Sequence, residues 1–257
     1  MTSDEPENIR HESAQRVDAT PMLARDFTAE RAPAPWAAPP DAGSSALAEA
    51  AQARAAGAWE QVLHHAERAA AAGVDHALVT ELRALALTRL RRLDDAETQF
   101  AALLATSTYR RRAEAGLGII ALERGDDLTA RAWLDRATAA CGDADAWAAL
   151  GLCLTRLGEA EEAWQAYVEA RDRDPGHRVA LHGLITLASP LGRVAELETH
   201  LRDYLARVGE DADVRFALAG CLYAAGRLEE SRLAVREVLR RTPAHALARA
   251  LEQELAP

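Results

Sequence analysis

Residues 147–175 read WAALGLCLTRLGEAEEAWQAYVEARDRDP and decide how the chain folds. In the second half of this stretch, Ala163, Tyr167 and Ala170 are spaced i, i+4 and i+7, which places them on one face of a helix. Gly158 lies just before that helix, where a glycine can adopt the positive φ that a tight turn requires. The stretch therefore predicts two antiparallel helices joined by a short turn.

The same pattern recurs along most of the chain. The glycine before the second helix has counterparts 33 or 34 residues apart, with an arginine in one slot, and this column is Gly57, Arg91, Gly125, Gly158, Gly192 and Gly226. Three apolar columns follow each turn; they are Val62, Ala96, Ala130, Ala163, Leu197 and Ser231, then Ala66, Phe100, Leu134, Tyr167, Leu201 and Val235, then Ala69, Leu103, Ala137, Ala170, Tyr204 and Val238. One helix pair cannot bury such a face alone, so the repeats are predicted to stack.

The positions that recur match a known repeat family. In the clearest copy they are Trp147, Leu150, Gly151, Leu154, Gly158, Ala163, Tyr167, Ala170, Asp174 and Pro175. This copy resembles a tetratricopeptide repeat (TPR), in which a Tyr usually stands where this chain has Leu154. The resemblance implies an all-α fold, a right-handed α-solenoid of about six TPR-like helix-turn-helix repeats with a C-terminal capping helix.

We expect three parts along the chain. Residues 1–42 hold six of the ten prolines and are expected to form a disordered or extended Pro-rich tail. The TPR-like solenoid is expected over residues 43–245, with repeats at 43–76, 77–110, 111–143, 144–177, 178–211 and 212–245. Residues 246–257 are expected to form the capping helix.

Two local features of the last repeats predict where one helix ends and which residues of the capping helix face inward. Pro190 follows Ser189 inside a first helix, and it is expected to end that helix early or to kink it. In the capping helix, Leu247, Leu251 and Leu255 are expected to face inward and cover the last exposed apolar stripe.

The TPR resemblance implies that the first helix of each repeat lines a concave face, where a peptide, helix or loop of another protein binds. The predicted partner-binding groove consists of Leu47, Arg54, Leu85, Arg89, Ile119, Leu152, Arg156, His182, Phe216 and Tyr223. Its apolar members offer surface to bury, and its arginines can bind carboxylates through two parallel bonds. The alternative interpretation of each arginine is a solvated residue paired to a nearby acid. The basic, Asn-bearing clamp by which some TPR proteins hold chaperone C-termini is absent, since its positions hold Leu47, Ala51 and Leu82 or Leu85.

Composition excludes several classes of function. All 30 basic residues other than histidine are arginines, and the absence of lysine excludes a Walker phosphate loop and a pyridoxal Schiff base. A net charge of −10 argues against nucleic-acid binding, which needs a basic face. The three cysteines form no CxxC pair, and the sequence has no HExxH or GxSxG motif. We therefore predict no catalytic residues, no metal ligands, no cofactor and no enzymatic activity.

The predicted function is that of a non-catalytic protein–protein interaction scaffold, adaptor or assembly factor that binds a partner peptide or helix. One alternative is a self-assembling structural TPR protein, in which the tail from Phe27 to Trp36 occupies the groove of a second copy. Another is a non-catalytic subunit of an enzyme complex. Because no 18-residue apolar run and no secretory signal is present, we expect a cytoplasmic protein without membrane insertion. High Arg and Ala content without lysine suggests a GC-rich bacterial genome.

Overall fold

The structure, a computed structural model, describes residues 41–139 and 142–256. Within these ranges it contains thirteen α-helices and no β-strand. In chain order, α1 to α13 span Ala42–Ala55, Trp59–Ala71, His76–Arg89, Leu93–Leu103, Arg110–Arg124, Asp127–Thr138, Ala144–Leu157, Ala160–Arg173, Arg178–Ala188, Val194–Arg207, Ala212–Ala224, Leu228–Arg241 and Ala246–Glu254. The tail predicted over residues 1–42 lies outside the described residues except for its last two.

The helices form a solenoid of antiparallel pairs. Each odd-numbered helix from α1 to α11 packs against the next even-numbered helix, and each pair packs against the following pair. The first helices of some successive pairs, α3 with α5, α5 with α7 and α7 with α9, also contact each other, more extensively than any two second helices do. First helices are therefore the more crowded inner layer, and the all-α solenoid is the predicted fold.

The apolar columns of the sequence form the core between these layers. Every residue of the three columns is at most 4% exposed. The one polar member, Ser231, donates a hydrogen bond from its hydroxyl to the carbonyl oxygen of Ala219, at 2.9 Å, so no buried polar group is left without a partner there. The columns therefore mark the buried face of every second helix from α2 to α12.

The glycine column forms the turns between paired helices. Its five glycines have φ between 66° and 82°, the left-handed conformation that closes a helix. Arg91 occupies the slot without glycine and has φ of 62°, the one positive φ of a non-glycine residue in the described part of the chain. The repeat therefore imposes its turn geometry even where the side chain disfavours it.

Two histidines at repeat boundaries act as helix N-caps. The Nδ1 atom of His177 accepts a hydrogen bond from the backbone N–H of Ala180, at 3.2 Å, and its Nε2 lies 3.0 Å from Asp145 Oδ1. His245 caps the last helix in the same way, through Ala248 N–H at 3.1 Å. Each imidazole therefore satisfies one of the free N–H groups at a helix start.

A single tyrosine fills the space between two first helices. Tyr167 on α8 is 3% exposed, and its ring lies against Gly151 of α7 and Gly183 of α9. A Cβ atom at Gly151 would lie 2.6 Å from the ring, and one at Gly183 would lie closer still. Any side chain at either position would force the Tyr167 ring to move, because the ring occupies the place of a Cβ atom.

A buried arginine joins α8 to α10. Arg171 is 3% exposed, and its guanidinium donates to the carbonyl oxygens of Pro175, at 2.8 Å, and His200, at 3.2 Å. Asp203 lies 3.5 Å away and balances part of its charge. This contact fixes the loop between two repeats to the next second helix.

The last repeats confirm one local expectation and correct another. Helix α9 ends at Ala188, two residues before Pro190, as predicted. In α13, however, Leu247 is 63% exposed, so the prediction that it faces inward was wrong. The inner face is formed by Ala248, Leu251 and Leu255, because the cap places Ala248 against the core.

Within the described ranges, no helix combines the length and the apolar character that crossing a membrane requires.

Candidate functional site

The inner layer of helices encloses a cavity of about 330 Å³ near its N-terminal end. Most of its lining comes from α1, α3, α5 and the start of α7, with Trp59 of α2, Arg91 of the turn after α3 and Phe100 of α4, and we call this cavity the inner pocket. Its apolar surface comes mainly from Leu78, Leu82 and Leu85, spaced i, i+4 and i+7 on α3, together with Ile119 of α5. These leucines form a second apolar stripe on α3, beside the one that packs into the core.

Eight charged residues also line the pocket. They are Arg54, Arg89, Arg91, Arg112, Glu81, Glu123, Asp143 and Asp145. Two ion pairs lie within the wall: Arg112 Nη1 is 3.1 Å from Glu81 Oε1, and Arg91 pairs with Glu123. Burial raises the pKa of Glu81, and the charge of Arg112 opposes that shift.

Arg89 stands at the end of α3, where its guanidinium lies 5.3 Å from the ring centroid of Trp59. This distance is within the range of a cation–π contact, so the aromatic ring holds the guanidinium in place. Partial burial lowers the pKa of Arg89; the charge of Asp145 opposes this shift, and the charge of Arg54 reinforces it. Arg89 therefore lies where the charges of both Asp145 and Arg54 act on it, so opposite charges meet in this part of the pocket.

The start of α7 supplies an anionic side. Asp143 is the N-cap of α7 and accepts a hydrogen bond from the backbone N–H of Ala146, at 2.8 Å. Protein atoms around the Asp143 carboxyl reduce its hydration and raise its pKa; the bond from Ala146 opposes this rise, and the charge of Asp145 adds to it. Asp145 contacts His177 on its other side, at 3.0 Å.

The structure places four of the ten predicted groove residues around the inner pocket: Arg54, Leu85, Arg89 and Ile119. The other six lie elsewhere. Leu152 is in the main core at 8% exposure, which leaves little of its side chain for a partner.

Arg156 joins two repeats. Its Nη1 donates to the carbonyl oxygen of Leu122 at 2.9 Å, and its Nε is 2.9 Å from Asp127 Oδ1. The Leu122 carbonyl belongs to the last turn of α5, so Arg156 satisfies a helix C-terminus, and this contact accounts for an arginine at that position.

The remaining four predicted residues are spread along the solenoid. Leu47 packs against the small core of the first repeat, and partial burial lowers the pKa of His182 on α9. The ring of Phe216 lies 4.9 Å from the imidazole of His245, at the start of the capping helix. Tyr223 is 43% exposed. None of these four lines the inner pocket.

The sequence prediction of site residues missed several that line the pocket: Trp59, Leu78, Arg112, Asp143 and Asp145. Leu78 had a usable signal, because a second i, i+4, i+7 stripe on one helix exceeds what packing on one side requires. The acids at the start of α7 gave no such signal, since an Asp before a helix is accounted for by capping alone.

Two observations concern metal binding and cysteine reactivity in the described residues. They contain no group of three or more His, Cys, Asp or Glu that could hold a metal ion. Burial raises the pKa of the Cys153 and Cys221 thiols to about 11, which is the opposite of the shift that activates a nucleophilic cysteine.

Comparison with known proteins identifies the repeats in two parts of the chain. A family model of the tetratricopeptide repeat matches residues 81–145 and 191–246. No curated protein matches the sequence.

Solved structures show the same fold at low sequence identity. PilW, described as a widely conserved type IV pilus biogenesis factor, is 16% identical, with a TM-score of 0.61 over 81% of this chain and 97% of PilW. PilF of Pseudomonas aeruginosa is 12% identical, with a TM-score of 0.62 over 83% of this chain and 96% of PilF. YrrB, described as a TPR protein with an unusual peptide-binding site, is 16% identical, with a TM-score of 0.56 over 69% of this chain and 92% of YrrB.

The 33- or 34-residue period, the stacked helix pairs and the match of the family model to residues 81–145 and 191–246 agree: the chain carries tetratricopeptide repeats.

Proposed function

We propose that this chain is a non-catalytic interaction scaffold that holds a short segment of a partner protein in the inner pocket. The main support for the proposal is the composition of that pocket. Leu78, Leu82 and Leu85 of α3 and Ile119 of α5 form an apolar floor, and arginines and acidic residues surround it. Sites that bind ligands combine a mostly apolar surface with a few polar groups that fix orientation. A volume of about 330 Å³ is at the lower end for such sites, so it accommodates only part of a peptide.

The energy available from the floor sets the expected strength of binding. Burying about 150 Å² of apolar partner surface at about 25 cal/mol per Å² contributes about 4 kcal/mol. Micromolar affinity corresponds to about 8 kcal/mol, so the floor supplies roughly half of it before the costs of association. Contacts with the charged residues and with the rest of the inner layer must supply the remainder.

Proteins of similar fold support this role. PilW is described as a pilus biogenesis factor, and YrrB is described as a TPR protein with an unusual peptide-binding site. For this chain we propose the same class of function, with a partner whose identity is open. The cytoplasmic location also stays a prediction, which fractionation of the source cells tests.

A matched pair of variants tests the site. Leu78→Glu places a charge on the pocket floor at a partly exposed residue, and Leu233→Glu makes the same change at a residue of α12 that is 65% exposed. Both variants and the unaltered chain are used for affinity capture from the source cells, with bound proteins identified by mass spectrometry.

The proposal predicts a set of proteins that the unaltered chain and Leu233→Glu retain and that Leu78→Glu loses while its helical circular dichroism is unchanged. If the folded Leu78→Glu variant retains every partner, the inner pocket is not the binding site. If the protein lost is a second copy of this chain, the self-assembly alternative is favoured. If it is an enzyme, the chain is a subunit of that complex.

A further inference from the structure

The inner pocket extends to the edge of the solenoid where the inner helices begin. Leu78 lies in the first turn of α3, and Asp143 is the N-cap of α7; both residues line the pocket. Arg112, in the first turn of α5, lines it as well. A chain segment that arrives at this edge therefore has direct access to the pocket.

The described chain enters the solenoid at the same edge, because α1 begins there. A Cβ atom added at Gly43 would lie 2.7 Å from Val74 Cγ2, in the loop before α3. Ala46 of α1 and Val79 of α3 belong to one buried apolar cluster. The start of α1 is therefore next to the start of α3, and one helix spacing, about 10 Å, separates it from Leu78.

The sequence just before α1 suits an apolar floor. Residues 32–40 read APAPWAAPP and carry no charge, so burying them desolvates no ion. Trp36 is the one large side chain among them. Prolines on both sides of it favour an extended chain that advances about 3.1 Å per residue, so the five steps from Trp36 to Asp41 span about 15 Å. Trp36 is therefore within reach of the apolar floor of its own chain.

A tryptophan side chain also fits the chemistry of the pocket. An aromatic side chain buries about 150–250 Å² of surface, and a buried indole N–H needs an acceptor. The carboxylates of Glu81 and Asp143 line the pocket beside the floor and offer such acceptors. A short tether presents Trp36 to this site at an effective concentration that is roughly millimolar, so a second copy at micromolar concentration competes poorly with it.

We propose that residues 32–38 bind in the inner pocket of their own chain, with the Trp36 side chain on the apolar floor, and that a partner segment has to displace them. The displacement rests on the proposed function, whereas the binding of residues 32–38 does not. The contact is autoinhibitory, because the apparent affinity for a partner falls in proportion to the fraction of chains whose pocket is open.

Disulfide trapping on the full chain tests where residues 32–38 lie. In a Cys141→Ser chain, whose two remaining native cysteines are buried, Ala37→Cys is combined with Leu78→Cys in the pocket. The matched control combines Ala37→Cys with Ala72→Cys. Ala72 is exposed and does not line the pocket, yet it is close to the start of α1, since a Cβ atom at Gly43 would lie 3.5 Å from Ala72 Cβ. After a mild oxidant is added, non-reducing electrophoresis separates linked monomers from linked dimers and gives the rate of each reaction.

The link within one chain is expected to form about tenfold faster to position 78 than to position 72, because binding concentrates the segment at the floor. Diluting the protein is expected to leave this rate unchanged. A segment that is tethered but not bound would favour position 72, which is nearer to the start of α1. Adding Trp36→Ala is expected to remove the advantage of position 78, since the substitution deletes the side chain that holds the segment on the floor.

Three results would overturn the inference. They are a link to position 72 that forms as fast as the link to position 78, rates that Trp36→Ala leaves unchanged, and a link to position 78 that appears only between two chains. The last of these would favour self-assembly through the same segment.

The outcomes separate this inference from the proposed function, because the trapping rates involve no partner. For the displacement, the Trp36→Ala chain is expected to capture severalfold more of each partner that Leu78→Glu loses, and an unchanged amount would contradict the competition. If the segment is trapped at position 78 and Leu78→Glu loses no partner, the proposed function fails and the binding of residues 32–38 stands.

Discussion

The close packing of Tyr167 against Gly183 predicts opposite effects of the same substitution at two glycines. Gly183→Ala places a methyl group inside the volume of the Tyr167 ring, whereas Gly220→Ala on α11 places one in open space, with no atom within 4 Å. Both glycines lie within inner-layer helices, so the gain in helix propensity is the same, about 1 kcal/mol.

The structure determines the net effect at each position. Tyr167 is 3% exposed and its ring lies against both Gly151 and Gly183, so the overlap at Gly183 is expected to cost about 1–3 kcal/mol, as overpacking does in other cores. After the propensity gain, Gly183→Ala is expected to destabilise the chain by about 1 kcal/mol, and Gly220→Ala to stabilise it by about the same amount. With a slope of about 2 kcal/mol per molar urea, the two midpoints should differ by about 1 M.

Urea unfolding followed by circular dichroism measures both midpoints, and a second pair of variants isolates the cause. In a Tyr167→Leu chain, which lacks the outer ring atoms, Gly183→Ala is expected to lose its cost, so that the two substitutions are strongly non-additive. The packing argument is refuted if Gly183→Ala and Gly220→Ala shift the midpoint equally, or if the cost at Gly183 persists without the ring.

Three further predictions concern single residues. His177→Ala removes a helix cap and is expected to lower the free energy of unfolding by about 1 kcal/mol, measured by the same urea assay; an unchanged midpoint would contradict the capping role. In a Cys141→Ser chain, Cys153 and Cys221 are expected to react with a thiol reagent at pH 8 at least about 100-fold more slowly when folded than in urea, because burial raises both pKa values from 9.0 to about 11. Equal rates in the two states would show that these thiols are accessible. Arg171→Met removes the guanidinium that donates to the partly buried carbonyl oxygens of Pro175 and His200 and is expected to cost about 1–2 kcal/mol, whereas a cost near zero would mean that water replaces the guanidinium.

The architecture could be predicted from the sequence alone because the same pattern of helix and turn residues recurs in each repeat. The apolar columns and the turn glycines are local features with a fixed period, and six copies average out exceptions such as Arg91 and Ser231. The φ of 62° at Arg91 shows that alignment to the other repeats is a better guide to backbone conformation than the residue type itself.

The candidate site was only partly predictable, for a physical reason. The position of a residue within its repeat predicts that the side chain faces inward. It does not predict whether a neighbouring repeat buries that side chain. Leu152 and Leu85 were both expected in the groove, yet Leu152 is buried in the core while Leu85 lines the cavity. Arg156 likewise faces a helix end of the preceding repeat, which no spacing within its own repeat reveals.

The pocket also depends on how far one repeat is turned relative to the next. Asp145 belongs to the fourth repeat, and Arg89 belongs to the second, yet their charges interact across the cavity. That proximity follows from the curvature of the stack, which is a property of packing between repeats.

Site-specific photo-cross-linking shows whether a partner protein occupies the inner pocket. A photoreactive amino acid is placed at Leu78 in the pocket or at Leu233 on the outer surface, and the full chain is illuminated in the source cells. We expect the reactive group at position 78 to form cross-links to one short segment of a partner protein, located by mass spectrometry, and the group at position 233 to form none. Cross-links from Leu233 alone, or none from Leu78 in a folded chain, would contradict it.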